Sequence, residues 1–162
     1  MRSSITPVPV SSRRIGPSWL AILAGLLVML SPLHTMARNV EYLLPIDEVL
    51  RMPAAQRELD GSVRFYLSGQ DHTPVVFRHQ EEVIRGNIRG VGEHEVESCK
   101  RAALKVLVAY QETARKMGAN AVIDIISYFK SKPYISPAQY ECHAGSTTVV
   151  VVFKGAYAKV AY

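Results

Sequence analysis

Hydrophobic and polar positions along the chain give one strong helical signal. Over residues 93–117, apolar side chains recur at steps of three and four, which lays one apolar stripe along a helix. The stripe consists of Val96, Cys99, Ala103, Val106, Tyr110, Ala114 and Met117. Glutamates lie in the first turns of this segment, and Arg115 and Lys116 lie in its last turn, as the helix dipole favours. Gly118 follows, so we predict that the helix ends there.

Runs of β-branched and aromatic residues predict the strands. Residues 121–130 (AVIDIISYFK) and 147–154 (TTVVVVFK) are typical of central strands that are covered on both faces. Residues 63–67 alternate between apolar and polar positions, which predicts a half-buried strand. Residues 74–77 and 83–91 are predicted as weaker strands.

The remaining segments carry turn signals. Two prolines and a glycine predict a long loop over residues 131–146. Gly155 predicts a bulge or turn before a short final strand over residues 156–162. Residues 38–60 are predicted as a short lead-in that is helical or irregular.

These elements predict an α+β domain over residues 61–162. One small sheet would carry one long principal helix packed on it, as a βαβ unit with a following strand. A single domain of this length is large enough to bury a hydrophobic core.

The first 37 residues are predicted to be a secretory signal peptide. Three arginines and no acidic residue precede an unbroken apolar run at residues 19–30 (WLAILAGLLVML). As a helix this run would be about 18 Å long, too short for a hydrocarbon core of roughly 30 Å. Thr35-Met36-Ala37 places small residues where a signal peptidase reads, so we expect cleavage after Ala37 and delivery to the periplasm without a stable membrane anchor. An uncleaved amino-terminal anchor is the alternative.

Charge and motifs narrow the possible functions. Cleavage would leave 16 basic and 14 acidic residues, a net charge of +2, which does not predict nucleic-acid binding. The chain has no Gly-Lys pair, and therefore no nucleotide-binding phosphate loop. It also lacks the Gly-x-Ser-x-Gly motif of serine hydrolases. We therefore expect a protein that is not an enzyme and that carries no cofactor.

Cys99 and Cys142 are predicted to form a disulfide. Export delivers both thiols to an oxidising compartment, the helix face with Cys99 packs on the sheet, and Cys142 approaches the start of a strand. Closing this loop would stabilise the fold by about 4 kcal/mol in the chain-entropy model. Free thiols are the alternative, and they would leave open a thiol nucleophile or a Cys/His metal site next to His143.

The histidines give a weak signal for metal binding. His72, His79, His94 and His143 show no four-residue spacing and no His-Glu-x-x-His motif. His143 and His94 remain the candidate metal ligands.

Asp124 lies in the middle of the apolar segment VIDII. It is either an acid with a perturbed pKa in a pocket, or a carboxylate that faces solvent or a partner. Since no second acid, base or nucleophile lies nearby in sequence, the second interpretation is favoured.

Four short motifs resemble those of a group of short exported proteobacterial proteins. They are Asp-Gly-Ser-Val, Gly-Ala-Asn-Ala-Val, Glu-Cys-His-Ala-Gly and Lys-Gly-x-Tyr-Ala-Lys-Val, at residues 60–63, 118–122, 141–145 and 154–160. Such proteins are sometimes labelled "excinuclease ATPase subunit". The residues give that label no support, because a nucleotide loop and a zinc-binding cysteine set are both missing from the sequence.

The segment 117–122 (MGANAV) is also similar to two families of bacterial domains. These are the C-terminal domain of the outer-membrane lipoprotein that senses stress for the Rcs phosphorelay, and the YbjQ-type domains. In both, a helix ends in Gly-Ala-Asn-Ala and runs into a sheet strand. The resemblance to the Rcs sensor covers about residues 83–155 and implies a disulfide from the helix to a later segment, which matches Cys99 and Cys142. Membrane sensing is not implied, since the sequence lacks the second disulfide of that sensor.

We therefore expect a non-enzymatic periplasmic domain that is stabilised by one disulfide and binds an unknown envelope protein or ligand. One alternative is a periplasmic metal-binding protein that uses His143 and other histidines. Another is an oligomerising structural module whose apolar terminal strands pair at their edges.

Overall fold

A computed structural model describes residues 38–90 and 92–161 of the chain. The predicted signal peptide, residues 1–37, lies outside the described residues. Across the described ranges, no helix is both long and apolar enough to cross a membrane.

Within the described residues, six strands and three helices follow one another in the order β1-α1-α2-β2-β3-α3-β4-β5-β6. The strands are β1 (Val40–Pro45), β2 (Arg64–Leu67), β3 (Val75–Arg89), β4 (Ala121–Ser127), β5 (Gln139–Ala144) and β6 (Thr148–Val160). The helices are α1 (Ile46–Leu50), α2 (Pro53–Glu58) and α3 (Glu95–Lys116). A short 3₁₀ turn, Phe129–Ser131, lies between β4 and β5.

Strand β6 lies at the centre of the sheet. One of its edges pairs with β3 from Thr148 to Val160, and its other edge pairs with β5 near the start and with β4 near the end. All three pairings are antiparallel, so β3 and β4 run parallel to each other on either side of β6. Because α3 joins them, the predicted βαβ unit is present, with β6 between its two strands. The predicted α+β class is confirmed.

Helix α3 packs on one face of this sheet. Most residues of the predicted stripe are fully buried, namely Cys99, Ala103, Val106, Tyr110 and Ala114. Val96, at the start of the predicted stripe, is 37% exposed. Opposite the helix, β6 contributes Val149, Val151, Phe153 and Tyr157 to the same core.

Glycines set how closely the layers approach. Gly86 of β3 lies so near α3 that an added Cβ would be 2.2 Å from the carbonyl oxygen of Ala102. Gly155 was predicted to mark a bulge or turn before a short final strand, but β6 continues through it to Val160. A Cβ at Gly155 would lie 3.0 Å from Val122 and 3.1 Å from Ile125, so this glycine makes room for β4 rather than a turn.

Three predicted segments differ from the structure. The lead-in over residues 38–60 contains strand β1, which pairs with β5. The loop predicted over residues 131–146 contains β5. The two weak strands at 74–77 and 83–91 form parts of one strand, β3. In the described part of the chain β6 is paired on both edges, and the alternative of an oligomerising module stays a prediction.

The predicted disulfide is present. Cys99 in α3 and Cys142 in β5 are bonded, with 5.8 Å between their Cα atoms, and both residues are fully buried. The bond therefore ties the first turns of the long helix to a strand near one side of the sheet.

Replacing both cysteines by alanine should lower the free energy of unfolding by about 4 kcal/mol, because the unfolded chain then loses its 43-residue cross-link. Urea unfolding followed by circular dichroism measures the change. As a control, a reducing agent should destabilise the wild type and leave the double variant unaffected. Equal stability of the oxidised wild type and the double variant would contradict the prediction.

The Gly86→Ala substitution should destabilise the domain by about 1–3 kcal/mol or more, since the new methyl group collides with backbone of α3. The matched control is Gly145→Ala, whose Cβ meets nothing closer than 3.5 Å. Thermal unfolding compares the two variants. Equal melting temperatures would contradict the close packing of α3 on β3.

Candidate functional site

Strand β5 presents different chemistry on its two faces. Tyr140, Cys142 and Ala144 are fully buried in the core beneath α3. Because side chains alternate along a strand, Glu141 and His143 point to the opposite face of the sheet.

Strand β1 adds a second carboxylate to that face. Glu41 lies directly opposite His143 in the antiparallel register, and directly opposed residues share one face. One potential ligand atom from each of Glu41, Glu141 and His143 lies within 4.8 Å of the others. Within the described residues, this is the one group of three or more His, Cys, Asp or Glu side chains that converge in this way.

The connection between β4 and β5 covers His143. The ring of Phe129 stacks on the imidazole with 3.7 Å between centroids and 16° between planes. Lys130 and Ser131 follow with φ angles of 50° and 60°, a left-handed backbone that is uncommon outside glycine. Ser127 fixes the base of this connection, because its hydroxyl accepts a hydrogen bond of 2.8 Å from the backbone N–H of Glu141.

A small cavity of about 200 Å³ opens beside these side chains. It is lined by Asn39, Glu41, Phe129, Lys130, Lys132, Glu141 and His143. His143 is 8% exposed, and neither of its ring nitrogens has a hydrogen-bond partner among the described residues. Buried polar atoms are almost always paired, so these two nitrogens point to an interaction that the protein's own groups do not provide.

Burial sets the charge states at the site. Burial lowers the pKa of His143 below its usual range, opposed by the nearby carboxylate of Glu41 and reinforced by Lys130. Burial also raises the pKa of Glu141, and repulsion from Glu41 adds to the effect. At neutral pH the imidazole is therefore neutral, and the lone pair on one of its nitrogens has no hydrogen-bond donor among the described residues.

His94, the other predicted ligand, lies elsewhere. It is exposed just before α3 and lines a separate cavity of about 530 Å³ with Arg38, Tyr42 and Glu95. In that cavity the polar side chains are paired with one another, since Glu95 accepts hydrogen bonds from Tyr42 and from Arg38. These bonds lower the pKa of Glu95. The structure therefore does not bring His94 together with His143.

Asp124 is a surface carboxylate. It occupies an irregularity of β4 with a φ of 53°, its side chain is 47% exposed, and it pairs with Arg78. This placement agrees with the favoured interpretation of an acid that faces solvent or a partner.

Comparison of the chain with models of protein families, with curated proteins and with solved structures gave no significant match. The case for function therefore rests on the geometry of the chain itself.

The buried imidazole predicts a pH dependence of stability. The folded pKa of His143 lies below its ordinary value of 6.5, so the unfolded chain binds this proton more readily. The contribution of His143 to stability is complete above pH 6.5 and is lost as the pH falls towards the folded pKa. In metal-free buffer, wild type should lose more unfolding free energy than His143→Gln between pH 7.5 and 5.

The matched control is the exposed His94→Gln, which should behave like wild type in the same urea titrations. Identical pH profiles for wild type and His143→Gln would contradict the burial of a neutral imidazole.

Proposed function

We propose that this chain is an exported, non-enzymatic binding protein of the bacterial envelope, and that it holds its ligand in the cavity beside His143. The observation that carries the proposal is the arrangement on β5, where Cys142 is bonded to α3 on one face and His143 lines a cavity on the other.

The disulfide supports an extracytoplasmic site of action. Disulfides persist in oxidising compartments such as the periplasm and are rare in the reducing cytosol. A cleaved signal peptide that ends at Ala37 would place Arg38 at the start of the mature chain, two residues before β1 begins at Val40. Export and folding are thus compatible, since β1 remains intact after cleavage.

The lining of the cavity supports binding rather than catalysis by a hydroxyl or thiol nucleophile. Its side chains are two carboxylates, two ammonium groups, one amide, one imidazole and one phenyl ring, without a hydroxyl or thiol nucleophile. A volume of about 200 Å³ is below the 300–1,000 Å³ typical of sites for drug-sized ligands. The size and polarity of the cavity therefore favour an ion or a very small polar ligand.

Native mass spectrometry of protein isolated from a bacterial periplasm tests this proposal without assuming the ligand. The mature chain should begin at Arg38, contain the disulfide, and carry a non-covalent adduct. Asn39→Trp should abolish the adduct, because Asn39 is exposed at the cavity and a bulky indole there would fill it.

Glu112→Trp is the control, since Glu112 is exposed on α3 and does not line the cavity. It should retain the adduct. A wild-type protein without any adduct, or one whose adduct survives Asn39→Trp, would overturn binding in this cavity. A chain that remains reduced in the cytosol would overturn the export.

A further inference from the structure

We propose that Glu41, Glu141 and His143 form a binding site for one divalent transition cation, of which Zn²⁺ is the representative. The inference rests on the proposed function, because it names the ligand class of the same cavity.

His143 supplies the first line of support. Its ring is immobilised by the stacked ring of Phe129 and by burial, and it lines the cavity with both nitrogens unpartnered across the described residues. A neutral imidazole in this state costs free energy unless a nitrogen finds a partner. A cation in the cavity is such a partner, and neutral imidazole is the commonest protein ligand of transition metals.

The carboxylates of Glu41 and Glu141 supply the second line of support. Glu41 and Glu141 lie close to the imidazole, yet no ion pair joins either of them to Lys130, Lys132 or any other group in the described part of the chain. At this separation their two negative charges repel each other. A divalent cation between them would neutralise both charges and remove this repulsion.

The distances fit a four-coordinate ion after small side-chain movements. Bonds of 2.0–2.1 Å in a tetrahedron separate neighbouring ligand atoms by about 3.4 Å. The three side chains already lie within 4.8 Å of one another. Glu41 is exposed and Glu141 is half-buried, so rotation of these two side chains can shorten the distances without disturbing the core. The rigid imidazole and two adjustable carboxylates then leave a fourth position open for water.

The ligand types select the class of metal. One nitrogen and two carboxylate ligands suit zinc and its first-row neighbours, whereas Ca²⁺ and Mg²⁺ prefer oxygen ligands alone. Cys142 cannot add a thiolate, because its sulfur is bonded to Cys99.

The positive charges of the lysines at the cavity repel a bound cation. Removing one of these charges should therefore raise the affinity for the cation rather than lower it. Lys130 places its ammonium group 5.4 Å from the centre of the Phe129 ring and lines the same cavity as His143. Lys132 lines the same cavity. Replacing either lysine by glutamine should therefore strengthen cation binding several-fold, an effect that a cation bound elsewhere would not show.

The experiment is isothermal titration of the oxidised mature protein with zinc chloride at pH 7.5, after treatment with a chelator and removal of any affinity tag. We expect one site per chain. His143→Gln, Glu41→Gln and Glu141→Gln should each weaken the affinity at least tenfold, whereas His94→Gln should leave it unchanged.

Circular dichroism identifies any variant that fails to fold, and Glu41→Gln keeps the test valid because its side chain is exposed. Absence of zinc binding to the wild type, or binding that depends on His94 and not on His143, would overturn the inference. If zinc does not bind but a different adduct depends on the cavity in native mass spectrometry, this inference fails and the proposed function stands. If neither zinc nor any other adduct binds in the cavity, this inference and the proposed function both fail.

Discussion

The disulfide between α3 and β5 is the constraint on which the candidate site depends. Side chains alternate along a strand, so fixing Cys142 against the helix also fixes its neighbours Glu141 and His143 on the other face. A slip of one residue would place two polar side chains in the core and expose the cysteine. The covalent bond therefore sets the register of β5, and through it the direction in which the histidine points.

The rest of the fold brings partners to that histidine from two other parts of the chain. Pairing of β1 with β5 sets Glu41 opposite His143, although the two residues are far apart in sequence. The 3₁₀ turn after β4 lays Phe129 over the imidazole. Strand β6 holds these pieces together, because β5 and β4 share one of its edges. A buried, neutral histidine between two carboxylates is the result, and its unpartnered nitrogens explain why we assign binding chemistry to this face.

The sequence predicts well those elements that show a local pattern of residue types. It predicts poorly those strands that form only by pairing with segments distant in sequence. The stripe of α3, the apolar segments of β4 and β6 and the disulfide all follow from periodicity, composition and compartment. Strands β1 and β5 were missed because prolines and acids around them signal helix starts and loops, and because Gln139, Glu141 and His143 have little intrinsic strand preference. The position of Glu41 beside His143 follows only from the pairing of these two strands. The sequence alone therefore points to His94 as the second candidate ligand. The alternation of QYECHA was the signal that could have identified β5.

Anomalous diffraction at the zinc absorption edge, from crystals of the mature protein grown with Zn²⁺, locates the cation directly. We expect one strong peak about 2.0–2.2 Å from an imidazole nitrogen of His143 and from carboxylate oxygens of Glu41 and Glu141. Crystals in which His143 has no peak beside it, while zinc is bound at His94 or nowhere on the chain, would contradict the account.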